Sequence, residues 1–274
     1  MHSRVSINTL SLAPAPLPDL VRTVAGIGAR GISPDLEQLA DYGIASSQRL
    51  LRDCGLAVAT LTHRDFAFST AEEAAKGRKR LLATIDIASE CGAQSIIMTT
   101  GGRGALAWPA AGSRFVETVQ PCVEAARAAG IELGIEPTSH LYADASIVHR
   151  LSDATALARS AGISVMMDLF PCWCDADIEA AIAQAVPLAP LVQVSDYVYG
   201  DRALPCRAVP GDGVMGWDGL IPKIVHAGFT GWFDLEIIGP RLQAEGQEQG
   251  LRRAAQVVGA LLEEAGMRGE ETKA

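Results

Sequence analysis

Apolar runs of β type alternate with longer amphipathic stretches from one end of the chain to the other. Val5–Leu10 predicts a first strand, and Pro16 and Pro18 open a helix that runs through Leu20 to Ile27, because proline suits a helix's first turn. Arg30-Gly31-Ile32 predicts a short second strand, and Ser46 to Cys54 closes its helix before Gly55. Leu56–Thr62 predicts the third strand, Ala71–Cys91 a long helix and Gln94–Thr100 the fourth strand. A glycine-rich loop then leads into a helix from about Arg114 to Ala129, which Gly130 ends. The second half repeats the alternation. Strands are predicted at Ile131–Pro137, Ile163–Leu169, Leu191–Ser195 and Trp232–Ile237, and helices near Ser146–Ser160, Ala176–Ala185, Trp217–His226 and Gly250–Ala265.

Strands separated by helices of this length pair in parallel, and strands buried on both faces are rich in Val, Ile and Leu. About eight such units in 274 residues predict an α/β fold, a parallel eight-stranded (β/α)8 TIM barrel. No Pro/Ser-rich linker divides the chain, so residues 1–267 are expected to form a single domain and 268–274 a charged C-terminal tail. The rival is an open doubly wound sheet. Against it, no G-x-G-x-x-G follows the first strand, and Gly101-Gly102-Arg103-Gly104 comes after the fourth strand with the wrong spacing for a phosphate loop.

Composition narrows the function classes. With 49% hydrophobic and 20% charged residues the chain packs rather than stays disordered. Its 32 acidic against 23 basic residues give a formal charge of -9, so a nucleic-acid backbone meets repulsion. No run approaches the ~18 apolar residues a membrane helix needs, and Ser6, Asn8, Thr9 and Ser11 interrupt any signal-peptide core. A cytoplasmic location, with no nucleic-acid or membrane partner, is expected. The six cysteines are expected reduced, and Cys172-Trp173-Cys174 has one spacer where a redox or metal pair has two.

In a barrel of this kind, residues at the C-terminal ends of strands face the active site. His63 follows the third strand, Glu136 ends the fifth and Asp168 the sixth. Gln193 lies in the seventh with Asp196 just after it, and Glu236 lies near the end of the eighth. Three carboxylates set in apolar runs are costly to bury unless they are paired or bind a cation, so a divalent metal is the economical explanation.

These residues resemble the xylose-isomerase-like barrels of the sugar phosphate isomerase/epimerase family. Gly134-Ile135-Glu136-Pro137 is similar to the family's strand-five segment, whose Glu ligates the metal, and Met167-Asp168-Leu169-Phe170 to the strand-six segment, whose Asp is a second ligand. Arg207-Ala208-Val209-Pro210-Gly211-Asp212-Gly213 resembles the strand-seven loop, where an Arg contacts substrate before a Pro-Gly-x-Gly turn, and Phe233-Asp234-Leu235-Glu236-Ile237 the last strand, whose Glu completes the site. Two positions depart from the pattern: Gln193 stands where the family supplies a His ligand, and Pro171 where it often has a substrate-contacting His. Glu136, Asp168, Gln193 and Glu236 would be an all-oxygen ligand set, which suits Mg²⁺ or Mn²⁺ better than Zn²⁺ or Co²⁺.

The resemblance implies a divalent-metal-dependent isomerase or epimerase of carbohydrate metabolism, acting on a sugar-like hydroxy-ketone through an enediolate. Glu136 and Glu236 would be its acid/base pair and Arg207 a substrate contact. His140, His63, Trp108 and Trp173 are further expected substrate-binding residues, the two Trp as an apolar wall. The same enediolate can expel a β-leaving group, so a dehydratase or lyase acting on a keto-sugar, inosose or 3-keto-glycoside is the alternative. From another class, a non-catalytic carbohydrate-binding barrel stays open. A multi-zinc endonuclease barrel needs many strand-end His and a basic face, whereas this acidic chain has five His. Barrels of this family often associate, which leaves a homo-oligomer open. Each residue also has a plainer role: Glu136 pairing with an Arg such as Arg103, Asp168 capping the turn before Pro171, Gln193 bonding backbone, and the Trp and His residues packing.

Overall fold

The first apolar run forms strand β1 (Val5–Asn8). It ends sooner than VSINTL predicts, because the Asn8 side chain accepts a hydrogen bond from the Leu10 N–H and turns Thr9–Leu12 into a 3-10 helix. The computed structural model describes residues 1–64 and 66–269, so most of the expected tail, 270–274, lies outside the described residues. The chain divides into two units, Met1–Ala59 with Leu191–Ala274, and Thr60–Pro190.

In the first unit, helix α1 (Leu17–Ile27) buries Leu17, Leu20, Val21, Val24 and Ile27, one stripe at helical spacing. Burying each such side chain contributes about 1.5–3 kcal/mol, several times the per-residue spread of helix propensity. Strand β2 (Gly31–Ser33) follows, then helices α2 (Leu36–Tyr42) and α3 (Ile44–Asp53) and strand β3 (Ala57–Val58). The sequence pattern misses α2, which is one face of buried residue deep: only Leu39 is buried.

The second unit opens on strand β4 (Leu61–His63), so the run Leu56–Thr62 is two short strands rather than one. Helix α4 (Ala71–Cys91) matches its prediction and starts with a capping box, in which Thr70 and Glu73 each accept the other's backbone N–H. Strand β5 (Ser95–Met98) and helix α5 (Trp108–Ala128) come next. α5 begins six residues before Arg114: Pro109 sits in its first turn, and Gly112, which reads as loop, packs beneath the Trp108 ring. Strand β6 (Glu132–Ile135) leads to helix α6 (Leu151–Ala161), which starts later than Ser146. The Ile147 N–H donates to Thr100 Oγ1 at 2.8 Å and the Val148 N–H to Ser146 Oγ at 3.2 Å, so side chains take the bonds a helix needs, and His149 lies before the helix. Strands β7 (Ser164–Val165) and β8 (Met167–Asp168) and helix α7 (Ile178–Ala185) complete the unit. β4, β5, β6 and β7 pair in parallel in that order.

The glycine-rich run after β5 is a packing device. A Cβ at Gly102 would lie 2.3 Å from the Asp144 carbonyl oxygen, and at Gly101 (φ +86) 2.3 Å from that of Phe66.

The chain returns to the first unit with strand β9 (Leu191–Val194), the short strands β10 (Asp196–Tyr197) and β11 (Arg207–Ala208), helix α8 (Trp217–His226), strand β12 (Trp232–Leu235) and helices α9 (Pro240–Glu245) and α10 (Gln247–Glu264). β3, β2, β1, β12 and β9 lie side by side in that order, all parallel. The antiparallel β10–β11 pair is absent from the sequence expectation. Among the described residues no helix is long and apolar enough to cross a membrane.

Candidate active site

Alternation along β12 turns Phe233 and Leu235 to one side and Asp234 and Glu236 to the other. Register places Ser6 and Gln193 on either flank of Asp234. The unit's polar residues therefore stack in two levels.

At the lower level, Asp234 is wholly buried and its carboxylate accepts from Ser6 Oγ (2.6 Å), Ser33 Oγ (2.7 Å) and Asn8 Nδ2 (3.3 Å). Burial pushes this carboxyl above the usual range, and the three donors offset part of that rise.

At the upper level, three expected site residues meet. Gln193 Nε2 donates to Glu236 Oε2 at 2.6 Å, and Arg207 Nη2 lies 3.4 Å from the same oxygen. Arg207 Nη1 also donates to Ser195 Oγ at 3.1 Å. A carboxylate only accepts, so it takes the amide's nitrogen and leaves Gln193 Oε1 turned away. That oxygen is buried and has no hydrogen-bond partner among the described residues. An orphaned acceptor costs about 1–3 kcal/mol, which a ligand hydroxyl or a cation would relieve. The oxygen donors at this level, Gln193 Oε1 and the Glu236 carboxylate, are of the kind a hard divalent ion takes. Among the described residues, however, no three His, Cys, Asp or Glu side chains are gathered as a ligand group.

Sequence reasoning passed over Ser195 and Trp217. Ser195 bonds the Arg207 guanidinium, and its carbonyl accepts from Trp217 Nε1 at 2.8 Å. The readable signal was a Ser-Asp pair directly after an apolar strand.

In the second unit, Glu136 follows β6 and is half-buried, its N–H bonded to the Met98 carbonyl at 3.2 Å. Asp168 ends β8, is buried, and accepts from the Phe170 N–H at 3.0 Å, the turn-capping contact that is its plainer role. His63 ends β4 and is buried, with Nδ1 2.8 Å from Thr84 Oγ1. Thr84 Oγ1 also lies 3.1 Å from the Arg80 carbonyl, which accepts from it. His140 is exposed in the 3-10 helix His140–Tyr142. Trp108 is 40% exposed and donates to the Ile147 carbonyl, and Trp173 is half-buried. All six cysteines are unbridged. Burial, with Asp168 and Asp175 nearby, holds the Cys172 thiol well above its ordinary range and so unreactive.

The chain matches the family described as xylose isomerase-like TIM barrel over residues 21–260. No curated protein sequence matches it. Protein SMc04130 from Sinorhizobium meliloti 1021 superposes with a TM-score of 0.79 at 27% identity, over 96% of this chain and 98% of that one. The IOLI protein with a zinc atom superposes with a TM-score of 0.83 at 13% identity, over 96% and 99%. D-psicose 3-epimerase with D-tagatose, from Clostridium cellulolyticum H10, gives 0.78 at 15% identity, over 97% and 99%. The fold is a TIM barrel, as the alternation of strands and helices predicts. The chain belongs to the xylose isomerase-like TIM barrel family.

Proposed function

We propose that the chain is a divalent-metal-dependent isomerase or epimerase acting on a small sugar-like hydroxy-ketone, with residues 1–267 as one barrel domain. The observation that carries this reading is the buried Gln193–Glu236 pair at the ends of β9 and β12, with Arg207 against it and the amide oxygen orphaned. An epimerase among the structural neighbours, the D-psicose enzyme, agrees with it in reaction class.

The chemistry begins with removal of the proton on the carbon beside the substrate carbonyl. Glu236 takes that proton, and Glu136 serves the opposite face, which allows inversion. Arg207, with its planar fork of donors, holds a substrate oxygen in the bound state. Gln193 and Asp168, with the two Glu, would hold the cation. When bound, Mn²⁺ or Mg²⁺ supplies Lewis-acid stabilisation of the negative charge that develops on the substrate oxygen. His63, His140, Trp108 and Trp173 border the substrate.

The test is a panel of ketoses, inososes and 3-keto-glycosides with Mn²⁺, Mg²⁺, Co²⁺ or Zn²⁺ added, with products read by NMR. Epimerised or isomerised product that depends on added metal is expected. An unsaturated product would shift the reading to lyase chemistry. No turnover across the panel, with no metal-dependent rise in melting temperature, would leave the non-catalytic carbohydrate-binding reading in its place.

A further inference from the structure

Asp196 is buried directly after β9, and its carboxylate is filled by backbone. Oδ2 accepts from the N–H groups of Gly211 (2.8 Å) and Gly213 (3.1 Å), and Oδ1 from those of Tyr197 (2.8 Å) and Met215 (3.1 Å). Three of the four donors belong to the turn that leaves β11, the strand carrying Arg207. The turn is shaped to this carboxylate: a Cβ at Gly213 would lie 2.4 Å from Asp196 Oδ1 and 2.3 Å from the Tyr197 carbonyl oxygen, and Gly211 has φ +95.

The same short segment also holds Arg207. β10 pairs Tyr197 with Arg207 and Asp196 with Ala208, and the Arg207 N–H donates to the Ile238 carbonyl at 3.1 Å. Ser195, one residue before Asp196, accepts from the guanidinium at 3.1 Å. From outside, Arg253 on α10 grips the turn through Asp212, both contacts at 2.7 Å, and that exposed pair is worth less than bonds to a buried carboxylate. A surface turn could be closed by its own backbone bonds. A buried charge committed to it costs desolvation, and four N–H donors are what make that cost tolerable.

We infer that Asp196 is a positioning residue: it fixes the Gly211–Met215 turn and, through the β10–β11 pair, sets the Arg207 guanidinium against Glu236. The inference rests on Arg207 being the substrate contact of the proposed function, and its test separates the two.

Asp196→Asn keeps the size of the side chain but replaces one acceptor oxygen with an NH2 that faces backbone N–H groups. Ser195→Ala removes only the hydroxyl under the guanidinium and leaves the turn alone. Hydrogen exchange at Gly211, Gly213 and Met215 is expected to speed up by roughly tenfold or more in Asp196→Asn, the worth of a charge-assisted bond, and to stay unchanged in Ser195→Ala. Phenylglyoxal modification of Arg207, read by mass spectrometry relative to exposed Arg22, should accelerate in both variants. With a ketose that the wild type accepts, Asp196→Asn should raise KM about tenfold with little change in kcat, and should add nothing in an Arg207→Ala background. Equal KM effects in the two backgrounds, or an Arg207 modification rate that does not move, would overturn the inference. If no ketose is accepted, the functional reading fails, while the exchange and modification rates still decide whether Asp196 positions Arg207.

Discussion

Replacing Gln193 with Glu tests the geometry of the upper level most severely. In the wild type a neutral amide donates to Glu236 Oε2 at 2.6 Å, with the Gln193 side chain almost wholly buried and Arg207 the cation beside it. Gln193→Glu sets two carboxyls at that separation, where both cannot ionise and one pKa rises steeply. A rise of about 2–3 units at 1.36 kcal/mol each amounts to about 3–4 kcal/mol, or a fall in Tm of roughly 6–15 °C for a chain of this size. The raised folded pKa fixes the sign. Below the unfolded value of about 4.3 the new acid is protonated, donates to Glu236 as the amide did, and costs little. As pH rises through the raised folded value, the folded state holds a proton that the unfolded state has lost, and stability falls. Thermal melts of variant and wild type at about pH 4 and pH 8, with and without Mn²⁺, read this directly. The variant should match wild type at the lower pH, fall below it at the higher, and recover with Mn²⁺ as the added charge draws in the cation. An equal Tm difference at both pH values would place Gln193 away from Glu236 and refute the reasoning.

Asp234, whose carboxyl is raised by burial, should make stability decline above the ordinary carboxylate range; the wild-type minus Asp234→Asn difference in unfolding free energy should therefore fall as pH rises from about 4 to 7, and a flat difference would contradict the shift. Gly102→Ala puts a Cβ 2.3 Å from the Asp144 carbonyl and should cost on the order of 1–3 kcal/mol, with a wild-type Tm as the contrary result. Mn²⁺ or Mg²⁺ should raise the wild-type Tm and EDTA reverse it, because binding to the native state alone stabilises it; a Tm indifferent to both would remove the cation from the account.

The alternation of strand and helix was legible because periodicity is a local property. α4 and α8 agree with their predicted ends, and the start of α4 is marked in the sequence by the Thr70–Glu73 capping box. Two of the misses share a physical cause: backbone N–H groups taken up by side chains. Thr100 claims the Ile147 N–H and delays α6, and the Asn8 side chain shortens β1. The β10–β11 pair was hidden because two-residue strands show no period, and Asp196, not apolar pattern, fixes the turn after it. At the site, Glu236 and Gln193 were singled out by their places on apolar strands, and Arg207 by the resemblance of its loop to the family's. Their mutual bonds were not readable, since spacing names a face but no partner. The Asp234 level was missed because Ser6 and Asn8 read as ordinary strand polar residues, and Ser33 lies just past the predicted second strand, until register brings them to one carboxylate.

The central claim is that Glu236 moves the proton beside a substrate carbonyl. Incubating wild type and Glu236→Gln with an accepted ketose in D₂O, with Mn²⁺ present, measures it by the rate at which deuterium appears at that carbon. Gln keeps an oxygen for the cation but accepts no proton at neutral pH, so exchange should drop at least ~100-fold. Deuterium incorporation at the wild-type rate in Glu236→Gln would contradict the account and leave Glu236 a structural partner of Gln193 and Arg207.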